Sequence, residues 1–121
     1  IEGIGLNINL ILQDARDKGY VVNSMPIVGG LGKSEFIRQI FADIMNVELI
    51  AYEYMDEAAT VGAAVLGGIA LGLYEDESAV QKFMKVSSIT KPIPENHEQY
   101  KKIMPLFEDV YNAMVPLYEK M

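Results

Sequence analysis

The chain has 121 residues, of which 50% are hydrophobic and 22% charged. This composition indicates one compact soluble domain and excludes a disordered chain or a bundle of membrane helices. Ten basic against 17 acidic residues give a net charge of −7, which argues against nucleic acid or an anionic membrane surface as partners. With no cysteine and one histidine, disulfides, zinc–thiolate clusters and histidine-rich metal sites are excluded, and a cytoplasmic protein is expected. The chain starts with Ile1 and shows no signal peptide, which indicates a piece of a longer protein.

The first half of the chain predicts alternating helices and strands. Apolar spacing and turn residues predict a helix over residues 2–18, a strand over 25–28, a helix over 34–46 and a strand over 47–51. Gly19 is expected to end the first helix, and Ser34 to cap the second. Pro26 lies at the start of its strand, where a missing N–H costs least. This order predicts an α/β domain.

The second half is predicted to be mainly helical. Its elements are a helix capped by Asp56 that runs to about residue 74, a shorter helix over residues 78–84, an extended stretch over 86–89 and a last helix over 100–118. The last helix carries a broad apolar stripe, which predicts a core face. Pro105 and Pro116 are expected to interrupt or kink it.

Residues 58–74 contain no charged side chain and imitate a membrane span. The stretch is shorter than the roughly 20 residues that a spanning helix needs, and no Lys or Arg flanks it, so a buried helix of a soluble domain is predicted. Each glycine inside this helix costs roughly 1 kcal/mol in helix propensity. These glycines therefore need a packing reason, such as close contact with a sheet or a ligand loop.

The most informative segment is Gly-Gly-Leu-Gly-Lys-Ser at residues 29–34, between a predicted strand and a predicted helix. Such a turn can direct backbone N–H groups and the positive end of a helix at an anion, because glycine lets the backbone approach a ligand closely. Two phosphate-binding patterns fail here. A Walker A loop would need glycine in place of Ile27, and a dinucleotide fingerprint would need a small residue in place of Glu35. On spacing alone, an ordinary tight turn is an equal alternative.

Other polar residues have simpler interpretations. Lys33, beside the glycine turn, is either a phosphate ligand or, more simply, a solvated surface charge. Asp43 is expected to be a structural hydrogen-bonding residue. His97 has no second histidine or cysteine with which to bind a metal, and is expected to support the first turn of the last helix by hydrogen bonding. The acidic run at residues 75–77 is expected to be a solvated helix start rather than a cation site.

Several segments carry motifs in a definite order along the chain. Residues 28–34 and 38–44 match much of the signature Gly-Gly-Gly-x-Lys-Ser … Arg-Gln-x-x-Ala-Asp. Residues 2–4 read Glu-Gly-Ile, residues 57–64 read Glu-Ala-Ala-x-x-Gly-Ala-Ala, and residues 94–100 read Pro-x-x-x-His-x-x-Tyr. In this order and spacing they resemble the C-terminal domain of the FGGY carbohydrate kinases, most closely the xylulokinases. The resemblance covers almost the whole chain.

The resemblance implies the C-terminal part of a ribonuclease-H-like, actin-like ATPase lobe, with few strands packed by several helices. It implies that residues 1–121 are the nucleotide-binding domain of a longer two-lobe kinase. Such a kinase transfers the γ-phosphoryl group of MgATP to a hydroxyl group of a ketose or polyol, and the resemblance favours xylulose as the substrate. The catalytic aspartate, the sugar-binding residues and the Mg²⁺ ligands then lie outside this chain. By the same resemblance, the residues expected to bind the adenosine end of ATP are Gly29, Gly30, Leu31, Gly32 and Ser34. Leu31 departs from the family, which has a third glycine there.

Two other classes stay open. One is an actin-fold binding or regulatory module that kept the glycine turn and lost the chemistry. The other is a structural domain that forms a homodimer through apolar surface. In the kinase interpretation, the sugar is bound mainly by the missing lobe, and this chain alone is expected to be catalytically silent.

Overall fold

The structure, a computed structural model, describes residues 1–53 and 55–120. The α-helices are α1 (Glu2–Asp17), α2 (Glu35–Met45), α3 (Ala58–Ala70) and α4 (Pro94–Tyr118). The strands are β1 (Ser24–Ile27), β2 (Glu48–Tyr52) and β3 (Val86–Thr90), and the short 3₁₀ segments are Gly30–Lys33, Met55–Glu57 and Glu77–Lys82. The α/β class predicted from the sequence is confirmed.

The three strands form one sheet in the order β1-β2-β3. β1 and β2 are parallel, with Ile27 opposite Ala51, and α2 is the crossover between them. β3 runs antiparallel to β2, with Thr90 opposite Leu49. The carboxyl end of β1 therefore leads straight into the glycine segment, at a sheet edge where ligands of α/β proteins commonly bind.

The core lies between the sheet and the helices α1, α2 and α4. Its most enclosed side chains are those of Ile44, Val47 and Leu49. Gly5 of α1 lies so close to α2 that a Cβ atom there would be 2.7 Å from Cδ1 of Ile44 and 3.2 Å from Cδ1 of Phe41. The missing side chain of Gly5 is what lets the two helices approach.

The predicted helices and strands of the first half of the chain are confirmed, but Pro26 is the third residue of β1 and not its start. β1 is an edge strand, where a missing N–H is tolerated. α1 ends at Asp17, and Gly19 follows with φ +90°, in the left-handed region that favours glycine. Ser34 caps α2, where its Oγ accepts the N–H of Ile37 over 3.4 Å. Asn46 ends that helix in a left-handed conformation. These are local signals, and each is readable from a few neighbouring residues.

α3 differs from its prediction in its bounds. It ends at Ala70, not at about residue 74, and Gly72 continues the chain with φ +73°. Asp56 does not cap it, because that residue lies in the preceding 3₁₀ segment and its carboxylate pairs with Lys33. Glu57 occupies the cap position and makes no side-chain cap hydrogen bond.

α3 is also more exposed than predicted. Among its described residues only Val65 and Gly68 are buried, so the prediction of a buried helix is wrong for this chain. Gly68 has a packing reason, since a Cβ atom there would lie 2.5 Å from the ring of Tyr74. Gly62 and Gly67 face open space, where a Cβ atom would meet nothing within 4 Å. The described part of the chain leaves most of this apolar helix without a cover.

The segment after α3 is a 3₁₀ helix, Glu77–Lys82, where an α-helix over residues 78–84 was predicted. Asp76 caps it, and its Oδ1 accepts the N–H of Ser78 over 2.9 Å. Hydrogen bonding by the side chain of Ser78, together with this backbone hydrogen bond, holds the pKa of the Asp76 carboxyl below its usual value. The acidic run is thus a solvated helix start, as predicted, and the extended stretch that follows is β3.

α4 runs without a break from Pro94 to Tyr118 and includes both internal prolines. Of the two predicted effects of Pro105 and Pro116, an interruption or a kink, the interruption does not occur. A proline at position 105 leaves the carbonyl of Lys101 without its helical donor, but both residues are exposed, so water can satisfy that oxygen.

The apolar stripe of α4 forms core only along its first half. Met104 is buried, and Tyr100 and Phe107 pack against the core beside it. Tyr111 and Tyr118 are more than half exposed, because the core of the described chain ends before them. The core-face prediction is correct for the first half and wrong for the second.

Candidate functional site

The glycine segment turns the chain from β1 into α2. Gly29 has φ +80° and ψ −173°, a conformation open essentially to glycine alone. The next residues form one 3₁₀ turn, in which the N–H of Gly32 donates to the carbonyl oxygen of Gly29 over 3.1 Å. Ser34 is extended and starts α2 through its cap hydrogen bond. The turn is therefore fixed by the backbone of one glycine and the side chain of one serine.

The structure divides the five predicted site residues into two groups. A Cβ atom on Gly29 or Gly30 would meet nothing within 4 Å, and Leu31 is 42% exposed. These three residues are accessible to a ligand. Gly32 is buried, and Ser34 Oγ is used by the helix cap, so these two shape the turn.

Arg38 holds the turn from the side of α2. Its Nη1 donates to the carbonyl oxygen of Gly32 over 2.6 Å, and its Nε donates to Oγ1 of Thr90 over 3.3 Å. Thr90 ends β3, so one guanidinium group ties the glycine turn to the far strand of the sheet. Sequence reasoning missed this role. The available signal was the spacing, since Arg38 is one helical turn after the cap and helical side chains lean toward the N-terminus of their helix.

Asp43 is a buried hydrogen-bonding centre, as predicted. It is 2% exposed, and its carboxylate accepts hydrogen bonds from the N–H of Ile93 over 2.7 Å, from Asn96 Nδ2 over 2.7 Å and from Gln39 Nε2 over 2.8 Å. The backbone oxygen of Asp43 lies 2.9 Å from Nδ1 of His97. These contacts fasten the start of α4 onto α2, so the carboxylate is committed to structure.

Lys33 pairs with Asp56, and both side chains are more than half exposed. An exposed pair of this kind contributes about 0–1 kcal/mol. The ammonium group is thus a surface charge in this structure. Its partner lies just before α3, so the pair links the glycine turn to the third helix.

The family model for the FGGY family of carbohydrate kinases, C-terminal domain, matches residues 1–71, which include the glycine turn and all of α3. The chain belongs to this family. The resemblance predicted from the motifs is thereby confirmed.

Relatives of this FGGY domain are sugar kinases. A xylulose kinase of Staphylococcus epidermidis is 35% identical over 112 residues, which are 92% of this chain and 22% of that protein. A ribulokinase of Bacillus licheniformis is 29% identical over 118 residues, which are 92% of this chain and 21% of that protein. The FGGY domain thus spans about a fifth of the length of these relatives.

Solved kinase structures share the fold. A gluconate kinase from Lactobacillus acidophilus superposes with a TM-score of 0.85 at 29% identity, over 98% of this chain and 24% of that one. A ligand-bound xylulose kinase from the same organism gives a TM-score of 0.72 at 32% identity, over 80% of this chain and 20% of that one. The predicted C-terminal part of an actin-like ATPase lobe is confirmed.

Across residues 1–53 and 55–120, no three or more His, Cys, Asp or Glu side chains come together in a way that could hold a metal ion. No helix in that same part of the chain is long and apolar enough to cross a membrane.

Proposed function

We propose that residues 1–121 are the C-terminal, ATP-binding domain of a longer two-lobe sugar kinase. This enzyme transfers the γ-phosphoryl group of MgATP to a hydroxyl group of a ketose or polyol. The observation that supports the proposal is the open backbone at Gly29 and Gly30, on a turn between a parallel strand and a helix, in a member of the FGGY family. A backbone without Cβ atoms can lie directly against a flat nucleotide.

In this proposal the turn holds the adenosine end of ATP. Gly29 and Gly30 contact it through the backbone, and the exposed Leu31 side chain packs on the adenine face. Gly32 and Ser34 belong to the site because they set the path of the turn and the start of α2. The pair Lys33–Asp56 is at the rim, where its charge has little influence on the adenosine.

Mg²⁺ offsets phosphate charge during phosphoryl transfer in kinases generally. Mg²⁺ is usually bound by substrate phosphates, waters and one or two carboxylates, and we assign its ligands to ATP itself and to the other lobe. The catalytic base and most sugar contacts are assigned to that lobe as well. The FGGY domain contributes binding and orientation of the nucleotide, and by itself transfers no phosphate.

Xylulose is the first candidate substrate, because the xylulose kinase relative is 35% identical to this chain. Relatives named for ribulose and gluconate make ketoses and sugar acids the range to test. The decisive assay is a panel of pentuloses, gluconate and glycerol on the full-length protein, with coupled detection of ADP. We expect the highest kcat/KM with xylulose, and no ADP production beyond background with any panel member would overturn the kinase proposal.

Nucleotide binding is tested with Gly30→Arg, which fills the open space above the turn. Gly3→Arg is the matched control, because a Cβ atom at Gly3 also meets nothing within 4 Å and the position is exposed on α1. We expect Gly30→Arg to weaken ATP binding at least about tenfold, which corresponds to about 1.4 kcal/mol. Gly3→Arg should bind ATP like the unmodified protein. Equal affinity in both variants would place the nucleotide elsewhere.

A catalytically silent dimerisation module is the second candidate. It is favoured by the exposed apolar side chains at and after the end of α3, which are Leu66, Leu71 and Leu73. Large exposed apolar patches mark contact surfaces. Titration of the full-length protein with ATP, alongside sedimentation velocity, distinguishes the two candidates, because the silent module predicts a dimer without a saturable ATP signal.

A further inference from the structure

One side of α4 is an apolar surface that the described residues leave largely uncovered. From Glu108 to Tyr118, every residue is exposed except Val115, which is partly buried. Large exposed apolar patches mark contact surfaces. We define the exposed face of α4 by its large apolar side chains that are more than a third exposed, which are Ile103, Leu106, Val110, Tyr111, Met114, Leu117 and Tyr118.

The spacing of the exposed face fits a second helix. At 3.6 residues per turn, its seven side chains fall within an arc of roughly 140°. Ile103, Val110 and Leu117 recur every seven residues. A second series, three residues before each of these, consists of Tyr100, Phe107 and Met114. Apolar residues at these two heptad positions form the seam between packed helices.

The opposite side of α4 is suited to water. It carries the charged residues Lys101, Glu108 and Asp109. Pro105 and Pro116 also lie there, because they are about three helical turns apart. Each proline leaves the carbonyl oxygen four residues before it without a helical donor, and that oxygen needs water as its partner. A partner can therefore cover the exposed face without closing off these oxygens.

Charge and area favour a second copy of the chain as the partner. The net charge of −7 makes two copies repel each other over much of their surface. Between Ile103 and Tyr118 no charged residue falls within the arc of the exposed face, so two such faces meet without burying like charges. Since a large side chain buries roughly 150–250 Å² when fully enclosed, seven that are about half exposed offer on the order of 700 Å². A standard interface buries about 800 Å² per partner.

A recess at the start of the exposed face gives this pairing a direction. It has a volume of about 410 Å³, and Phe36, Ile40 and Ile103 supply apolar walls beside the amide of Gln99. A tyrosine combines an apolar ring with a hydroxyl group, so it suits such a recess. In an antiparallel pair whose twofold axis passes between residues 110 and 111, Tyr118 of one copy lies opposite Ile103 of the other.

We propose that two copies of this protein dimerise through the exposed face of α4, with the two α4 helices packed antiparallel about a twofold axis. The contact is isologous, because the same surface is used on both copies. The dimer does not rest on the proposed ATP site, and it is compatible with an active kinase. The competing occupant of this face is the rest of a longer polypeptide, which predicts a monomer.

The test is sedimentation equilibrium of the full-length protein between about 1 and 100 µM. We expect a monomer–dimer equilibrium with a Kd of about 10 µM or tighter. A protein that stays monomeric over this range would overturn the proposal. ATP titration of the same samples keeps the two proposals apart, because loss of the dimer should leave the affinity for ATP unchanged.

Paired variants locate the interface. Val110→Glu puts a charge in the middle of the exposed face and should weaken the dimer at least about tenfold, since that charge would be buried without a partner. Val110 is 55% exposed within one copy, so the fold should be retained, as circular dichroism will check. Asn112→Glu is the matched control, because it adds the same charge on the opposite, exposed side of α4 and should leave the dimer intact.

Leu117→Glu repeats the test one heptad further along, at a side chain that is 49% exposed. It should weaken the dimer as Val110→Glu does. A dimer that survives both of these variants would overturn the proposal, as would equal dissociation in Val110→Glu and Asn112→Glu.

Discussion

Arg38 Nη1 donates a hydrogen bond to the carbonyl oxygen of Gly32 over 2.6 Å, so a side chain of α2 holds the turn that comes immediately before that helix. The same guanidinium group reaches Thr90 at the end of β3. The shape of the glycine turn therefore depends on the sheet as well as on the turn's own sequence.

Arg38→Met keeps the long side chain of residue 38 and removes its donors. We expect the free energy of unfolding to fall by about 1–3 kcal/mol, because the bonds to Gly32 and Thr90 are charge-assisted or partly buried. The affinity for ATP should fall with it, since the turn loses its support. Denaturant unfolding and ATP titration measure the two effects. Lys33→Met is the control. Loss of the exposed ion pair with Asp56 should lower the free energy of unfolding by less than about 1 kcal/mol.

Gly29→Ala and Gly30→Ala separate backbone strain from steric space. Both sites have open space for a Cβ atom, but only Gly29 has a positive φ. We expect Gly29→Ala to lose about 1–3 kcal/mol of stability, because alanine is strained at φ +80°. Gly30→Ala should change stability by less than about 0.5 kcal/mol. Thermal unfolding of the two variants under one set of conditions provides the comparison, and equal losses would contradict it.

Asp43→Asn should disconnect α4 from α2. The amide has the size of the carboxylate but offers only one oxygen, so its NH₂ group must face a donor such as Ile93 N–H or Asn96 Nδ2. We expect a loss of about 2–4 kcal/mol, since a buried, hydrogen-bonded charge is removed and its donors are left unpaired. Hydrogen exchange should speed up first at the start of α4. Asp14→Asn, at an exposed pair with Lys18, should have little effect on either measurement.

Tyr100 predicts a loss of stability at high pH. Burial, together with the hydrogen bond that its hydroxyl donates to Glu2 Oε1 over 2.8 Å, raises the pKa of Tyr100 to about 12. Between pH 10.0, the ordinary pKa of a tyrosine, and about 12, the unfolded chain has released a proton that the folded chain keeps. At neutral pH this group therefore makes its full contribution to the free energy of unfolding. That contribution is lost as the pH rises through this range.

The measurement for Tyr100 is the ultraviolet absorbance of phenolate during a pH titration. One of the seven tyrosines should titrate late. Glu2→Gln should lower the pKa of Tyr100, because the neighbouring negative charge is gone, whereas Glu95→Gln should leave it unchanged. A late tyrosine that persists in Tyr100→Phe would assign the signal to another residue.

The sequence was informative wherever a few neighbouring residues decide the structure. Ser34 as a cap and the helical spacing of α2 are local features, and both were predicted. The bonds from Arg38 to Thr90 and from Asp43 to Ile93 join residues 52 and 50 positions apart, and no local pattern indicates which donor will meet which acceptor. The only indication that Arg38 and Asp43 act together was the family signature Arg-Gln-x-x-Ala-Asp, which contains both.

Apolar patterning predicted which faces avoid water, but not what covers them. α3 and the second half of α4 have apolar residues at helical spacing, yet Leu66 and Tyr111 are exposed here. The relatives are four to five times longer than this chain. The spacing of apolar residues within this chain carries no information about which part of such additional length would cover a given face. For the candidate site, the run of residues 29–34 was a readable signal, whereas the hydrogen bond from Arg38 to the carbonyl oxygen of Gly32 required coordinates.

Asp43 also has a consequence for biosynthesis. Asp43 is translated 50 residues before Ile93, whose N–H donates to its carboxylate, and 53 residues before Asn96, the last of its three donors. At roughly 5–20 residues per second on the ribosome, that interval is about 3–10 s. Throughout it, among the three donors named above, only Gln39 has been made. A nascent chain should therefore keep this side of α2 open to water or to a chaperone until the last helix emerges.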